Sequence, residues 1–164
     1  IVSGLDVEVV AYDPYVDESE TPEAVEMVSS PMTLFQRSDF VSIHTPLTEQ
    51  TRHAVTKEEL AALGPDGAII NTSRGGIIDE VALLEMLEEG KLGSAGLDVF
   101  EQEPPAVDDQ LLDREDVVLT PHIGGLTVEA MERMSQGAAN NVRTVYEGGI
   151  PESTVNTDAL PERK

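Results

Sequence analysis

Short apolar runs alternate with helix-spaced apolar patterns along this chain. The runs Ala68-Ile69-Ile70-Asn71-Thr72, Ala95-Gly96-Leu97-Asp98-Val99-Phe100 and Val117-Val118-Leu119-Thr120 read as buried strands within residues 67–72, 94–99 and 117–120. Residues 39–44 form a further strand, which stops at Pro46, and residues 5–12 and a weaker run at 24–28 complete the set. Between the strands lie helical patterns. A short helix at 32–37 follows Pro31, and Thr56 with Glu59 makes a capping box that opens a helix to about residue 63. Asp79 caps a helix that Gly90 stops, and Leu111 and Leu112 suggest one helical turn. Thr127 caps the longest helix, 128–147, whose residues Val128, Met131, Met134, Ala138, Val142 and Val145 recur at three- and four-residue steps. Alternation of this kind argues for βαβ units and a parallel α/β sheet.

The termini and composition narrow the picture. Residues 1–147 are expected to form one partial domain, and 148–164 a polar tail. The chain opens on Ile1, without methionine, and is expected to be a fragment, with residues 1–4 as the end of an earlier helix. There is no cysteine, which removes disulfides, thiol catalysis and Cys-type zinc sites, and no metal site is expected. No apolar run approaches the roughly 18 residues of a membrane span, and no secretory signal is visible, so a cytoplasmic protein is expected. The charge is extreme, with 32 Asp and Glu against 10 Lys and Arg, net −22. Such a surface repels nucleic acid and anionic membranes. It reads as a halophile-type solvated surface, with an ordinary acidic protein as the alternative.

Three polar residues sit just past the ends of apolar runs: Arg74, Glu103 and His122. Ligands of open parallel sheets bind at the carboxyl ends of the strands. Arg74 offers a fork of donors for a carboxylate, and Gly75 and Gly76 allow close backbone approach; the competing reading is a surface arginine paired with one of many acids. Glu103 and His122 read as an acid–base pair. A carboxylate beside an imidazole favours its protonated form and fixes its tautomer, and a carbonyl being reduced needs a proton. Against this, a histidine after proline can be a helix-entry or core residue. Glu101 is a competing carboxylate, expected to be solvated; His53 is expected to be an exposed loop residue. The loop of His44 is placed near a cofactor. Asp13, at the end of the first strand, is either the acceptor for the ribose hydroxyls of an adenine dinucleotide or a turn former before Pro14. Asp98 lies inside an apolar run, where a bare charge is costly, and needs a polar partner such as a nicotinamide carboxamide. A G-x-G-x-x-G fingerprint is not present.

Five stretches together resemble the D-isomer-specific 2-hydroxyacid dehydrogenases, the family of D-3-phosphoglycerate dehydrogenase and glyoxylate/hydroxypyruvate reductase. They are residues 10–14 (VAYDP), 44–48 (HTPLT), 71–76 (NTSRGG), 97–104 (LDVFEQEP) and 119–125 (LTPHIGG). The resemblance implies NAD as cofactor and hydride transfer between it and a small 2-oxo/2-hydroxy acid pair, with no nucleic acid or membrane partner and a homodimer in the full-length protein. It implies that Arg74 holds the substrate carboxylate and 2-oxo group, that His122 is the general acid–base, and that Glu103 orients it. Asp13 would bind the ribose, and His44, Thr45, Pro46, Thr72, Ser73, Arg74, Asp98, His122, Gly124 and Gly125 would line the cofactor. Leu126 stands where many relatives carry Ser or Ala. Family members are about twice as long, so this chain resembles their C-terminal part, without the substrate domain, the first strand and the glycine-rich turn. The resemblance implies a doubly wound, Rossmann-like parallel α/β sheet, with residues 1–147 as an incomplete nucleotide-binding domain, and its strand order then predicts a pair of strands and a separate block of four, with a gap between. Two rival readings stay open: a non-catalytic NAD(H)-sensing protein like the C-terminal-binding co-repressors, and an inactive truncated remnant.

Overall fold

Parallel pairing organises the chain into two sheets. The computed structural model describes residues 4–157, apart from the side chain of Glu18; residues 1–3 and 158–164, where the end of an earlier helix and part of the tail are expected, lie outside them. Strand β1 (Val10–Ala11) pairs with β2 (Glu26–Met27), and the main sheet runs β3 (Phe40–Ile43), β4 (Ala68–Asn71), β5 (Ser94–Leu97), β6 (Val117–Leu119) in chain order. All pairs are parallel, with registers Val41↔Ile69, Ile69↔Ala95 and Ala95↔Val117. The two-plus-four division is the one expected from the sequence, and β3 is an edge of the larger sheet.

Helices α1 (Pro31–Arg37), α2 (Lys57–Leu63) and α3 (Glu80–Glu88) supply the connections. Their starts are chemically set. Ser30 accepts the Thr33 amide with Pro31 in the first turn, Thr56 and Glu59 close a complete capping box, and Asp79 accepts the Ala82 amide. Gly90, at φ 64, follows the end of α3 in the left-handed conformation that glycine adopts without strain. A single core joins sheet and helices. Ile69, Leu60 and Leu83 have no exposed surface, and Phe35, Ile77, Leu97 and Leu111 pack with them. Burial of each such side chain stabilises the fold by about 1.5–3 kcal/mol.

One expectation needs correction, and one element is new. The strand over 5–12 shrinks to Val10–Ala11. Its one ladder partner is the two-residue β2, and alternating apolar residues make a strand only where backbone groups find partners. Leu5 and Val7 are exposed. Residues 18–20 instead add an unforeseen 3-10 turn, Glu18–Glu20. The pair is tied to α1 by Arg37, whose guanidinium donates to Glu26 at 2.6 and 2.7 Å and to Glu8 at 3.1 Å. Elsewhere the differences are one or two residues at element ends, and Leu111 and Leu112 fall in a 3-10 turn, Gln110–Asp113.

The residues up to His122 form one compact unit, and those from Ile123 onward a second. The second contains α4 (Val128–Tyr146), capped by Thr127 as expected. Among the described residues no helix is long and apolar enough to cross a membrane.

Candidate active site

The loops that follow β4, β5 and β6 begin at the carboxyl end of the main sheet, where parallel α/β folds place their ligands. Each is shaped by a different local device. After β4, Asn71 is buried with 2 % exposure; its Nδ2 donates to the Arg74 carbonyl at 2.9 Å, and its Oδ1 accepts the Ser73 amide and hydroxyl at 3.1 and 3.0 Å. This one side chain therefore sets the path of the Ser73–Arg74 turn. Gly75 follows because nothing larger fits: an added Cβ would lie 1.8 Å from the Phe100 carbonyl oxygen. The Arg74 loop is thereby pressed against the backbone after β5.

After β5, Glu103 Oε1 accepts the Phe100 amide at 3.1 Å, and its Oε2 meets His122 Nδ1 at 2.8 Å. The hydrogen bond from His122, and then that from the Phe100 amide, hold the Glu103 carboxyl below its usual range. An ionised carboxylate only accepts, so Nδ1 carries the proton and Nε2 is the ring nitrogen turned to other chemistry. His122 itself sits at φ 54, directly after Pro121, and its amide donates to the Thr120 carbonyl at 3.1 Å. A non-glycine residue at positive φ is uncommon and concentrates at functional sites. The helix-entry or core reading of this histidine does not fit a ring that is half exposed and bonded to a loop carboxylate.

A cavity of about 340 Å³ opens beside this pair, lined among others by Asp98, Phe100, Glu103, Leu119, Thr120 and His122. Asp98 is 3 % exposed and accepts the Thr120 hydroxyl at 2.5 Å, so the partner expected for it lies, in part, within the chain. Arg74 is not drawn into the Glu103–His122 pair. Its Nη1 donates to the Ser73 carbonyl at 2.6 Å, and among the described residues no carboxylate pairs with it. In a chain so rich in acids, that leaves its charge available to a ligand, whereas Arg37 and Arg114 each hold carboxylates.

A second cavity, of about 230 Å³, is lined by Ala11, Asp13, Val16, Glu20, Pro22 and Met27. Asp13 accepts the Tyr15 amide at 2.8 Å, a turn-forming bond, yet its side chain stays exposed at the cavity. The turn and ribose readings are thus compatible. His44 lies past β3, its Nε2 2.9 Å from the Ser42 hydroxyl; Thr45 and Pro46 follow in the same loop, and Thr72 is exposed after β4. Gly124 and Gly125 belong to the second unit.

Two exposed residues, Glu101 and His53, do more than the sequence suggests. Glu101 is not simply solvated: its Oε1 takes the Glu80 amide at 3.2 Å and faces His53 Nε2 at 3.0 Å. His53, although exposed, is therefore engaged. Asn71 shapes the site as well, and its sequence signal is that of Asp98: a polar residue closing the apolar run 68–70, where burial is costly.

Comparison with known proteins places this arrangement. Residues 1–124 match the family described as D-isomer specific 2-hydroxyacid dehydrogenase, NAD binding domain. The chain is 41% identical over 158 residues to D-3-phosphoglycerate dehydrogenase of Methanocaldococcus jannaschii, covering 95% of this chain and 30% of that protein. It is 48% identical over 130 residues to hydroxypyruvate reductase of Thermotoga maritima, covering 78% and 42%. Among solved structures it resembles the holo form of Rhodotorula graminis D-mandelate dehydrogenase, with TM-score 0.79 and 39% identity over 87% of this chain and 42% of that one. It likewise resembles the D-lactate dehydrogenase of Escherichia coli, with TM-score 0.83 and 32% identity over 94% and 48%. The chain spans less than half the length of each of these relatives. It belongs to the D-isomer-specific 2-hydroxyacid dehydrogenase family and corresponds to that family's NAD-binding domain.

Proposed function

We propose that the protein carrying this chain is an NAD-dependent oxidoreductase that interconverts a D-2-hydroxy acid and its 2-oxo acid. The observation that carries this reading is the 2.8 Å contact between His122 Nδ1 and Glu103 Oε2 at the mouth of a cavity at the strand ends.

The residues present suit the cofactor. The exposed Asp13 carboxylate can accept both ribose hydroxyls and repels a 2′-phosphate, which favours NAD over NADP. The cavity beside Asp98 and His122 offers an apolar wall, Phe100 and Leu119, with polar groups at one side, as cofactor sites do. Thr45, Pro46, Thr72 and Ser73 belong to the same cofactor-lining reading. NAD, when bound, supplies or takes up the hydride.

The rest is the work of this chain. Arg74 swings from the Ser73 carbonyl to hold the acid's carboxylate and 2-oxo group, its planar fork matching the carboxylate bidentately. His122 delivers a proton from Nε2 to the 2-oxo oxygen as that oxygen gains charge, and in the reverse direction removes it from the hydroxyl. Glu103 keeps the ring in one tautomer and one orientation. Charge opposite charge at the substrate carboxylate fits an acid better than a neutral ligand.

A halophilic habit is part of the proposal, supported by the net charge of −22. Cytoplasmic residence and a homodimer rest on the family likeness. The test of the reaction is NADH oxidation with glyoxylate, hydroxypyruvate and bulkier 2-oxo acids by the whole protein and its Arg74→Ala variant. Turnover that falls by about a hundredfold or more in kcat/KM in the variant is expected, the size of a lost charged hydrogen-bond pair. Equal kcat/KM values would refute the role of Arg74, and no turnover with any 2-oxo acid would refute the reaction.

A further inference from the structure

Three segments that are distant in sequence meet beside the candidate site without touching its reacting groups. The first is the turn at residues 52–55. His53 there sits at φ 49, its amide donates to the Gly76 carbonyl at 2.8 Å, and its Nε2 lies 3.0 Å from Glu101 Oε1. The second is the stretch after Arg74. Ile77 accepts the Val55 amide at 3.1 Å, and the Asp79 amide returns to Val55 at 3.0 Å, a short parallel bridge. The third is the start of the Glu103 loop. Glu101 and Glu80 exchange bonds reciprocally: the Glu80 amide donates to Glu101 Oε1 at 3.2 Å, and the Glu101 amide donates to Glu80 Oε1 at 2.7 Å.

Glu101 Oε1 is therefore shared by the ring of His53 and the amide of Glu80, and the shared atom joins all three segments. The bonds span 48 positions from His53 and 21 from Glu80. On one side of this clasp is Arg74, held close by Gly75 against the Phe100 carbonyl; on the other, two residues past Glu101, is Glu103. Loops that carry site residues need support from packed or hydrogen-bonded neighbours, because misplacement by about 1 Å can cost a hundredfold in rate.

We propose that His53 is a positioning residue, which through Glu101 and Glu80 fixes the loop of Arg74 against the loop of Glu103 and so sets the spacing between the carboxylate-binding guanidinium and the acid–base pair. This inference rests on the reaction proposed above. His53 touches neither substrate nor cofactor in this account. Its strained φ is a local cost that the clasp offsets, and left-handed conformations are tolerated by Asn and His better than by most residues.

The test compares His53→Asn with His53→Gln in the whole protein. Asn accepts the positive φ but is too short to reach Glu101; Gln places an amide nitrogen where Nε2 stands. For His53→Asn the KM for the 2-oxo acid is expected to rise about tenfold, the size of one lost hydrogen bond, with kcat and the NADH dissociation constant within about twofold of wild type. His53→Gln is expected to restore most of the KM. Hydrogen–deuterium exchange provides a readout independent of turnover: the amides of Glu80 and Glu101 are expected to exchange faster in His53→Asn and to regain protection in His53→Gln. An unchanged KM in His53→Asn overturns the proposal, as does a loss of KM, kcat and NADH affinity together with stability in both variants. If wild-type protein turns over no 2-oxo acid, the reaction fails, and the exchange data still decide whether the clasp joins the loops.

Discussion

Glu103 holds two partners at once, His122 Nδ1 at 2.8 Å through one oxygen and the Phe100 amide at 3.1 Å through the other. The backbone bond fixes the carboxylate relative to β5, so the imidazole is oriented by the sheet and not by a free side chain. Replacing Glu103 by Gln leaves the shape but lets the amide present either oxygen or nitrogen to the ring. The favoured tautomer is lost in part, and kcat is expected to fall about a hundredfold with NADH affinity unchanged. Steady-state kinetics with a cofactor titration check this.

Gly75 is the point where the Arg74 loop touches the backbone after β5. A Cβ there would meet the Phe100 carbonyl carbon at 2.1 Å and the Glu101 nitrogen at 2.7 Å, atoms that cannot yield by rotating. Gly75→Ala is expected to destabilise the protein by about 3 kcal/mol or to displace the Arg74 loop. Gly96→Ala is the control, since its added carbon meets Ile70 side-chain atoms at 3.7 and 3.8 Å; it is expected to be neutral within about 0.5 kcal/mol. Denaturant unfolding separates the two.

Burial opposes the ionisation of Glu80 in the folded protein. Burial, and then the charges of Glu101 and Asp109, push its carboxyl up to about 7, against the helping Glu101 amide bond and His53. A carboxyl raised in the folded state is protonated there while the unfolded chain has already released its proton. Stability linked to it is therefore full below the ordinary carboxylate range and is lost as pH rises toward about 7. Glu80→Gln keeps an oxygen for the Glu101 amide and is expected to flatten that loss. Melting temperatures across pH 4.5 to 7 provide the check; parallel profiles for wild type and variant would refute it.

The net charge of −22 makes a separate prediction. Like charges over the whole surface repel at low ionic strength, and salt screens them. Raising KCl from dilute buffer to about 2 M is expected to raise the melting temperature by roughly 5 °C or more. An unchanged melting temperature would rule out a halophilic design.

Local chemistry was readable in the sequence where it was short in range. The Thr56–Glu59 box, the Asp79 cap and the strand ends before Arg74, Glu103 and His122 all depend on residues within a few positions of one another. The choice between Glu101 and Glu103 as the partner of His122 was also readable, from the family pattern. What the sequence hid was the second carboxylate's destination, since the His53–Glu101 and Glu80–Glu101 bonds depend on three loops meeting after the sheet has formed. The overlong first strand has the same origin. Val7 and Val9 alternate correctly, but pairing depends on a neighbour, and the partner here is two residues long.

The direct test of the whole account is kcat/KM for 2-oxo acid reduction, measured together with NADH binding, in wild type and His122→Gln. In the variant kcat/KM is expected to be about a thousandfold lower, while NADH still binds. A His122→Gln protein with the wild-type rate would contradict the account.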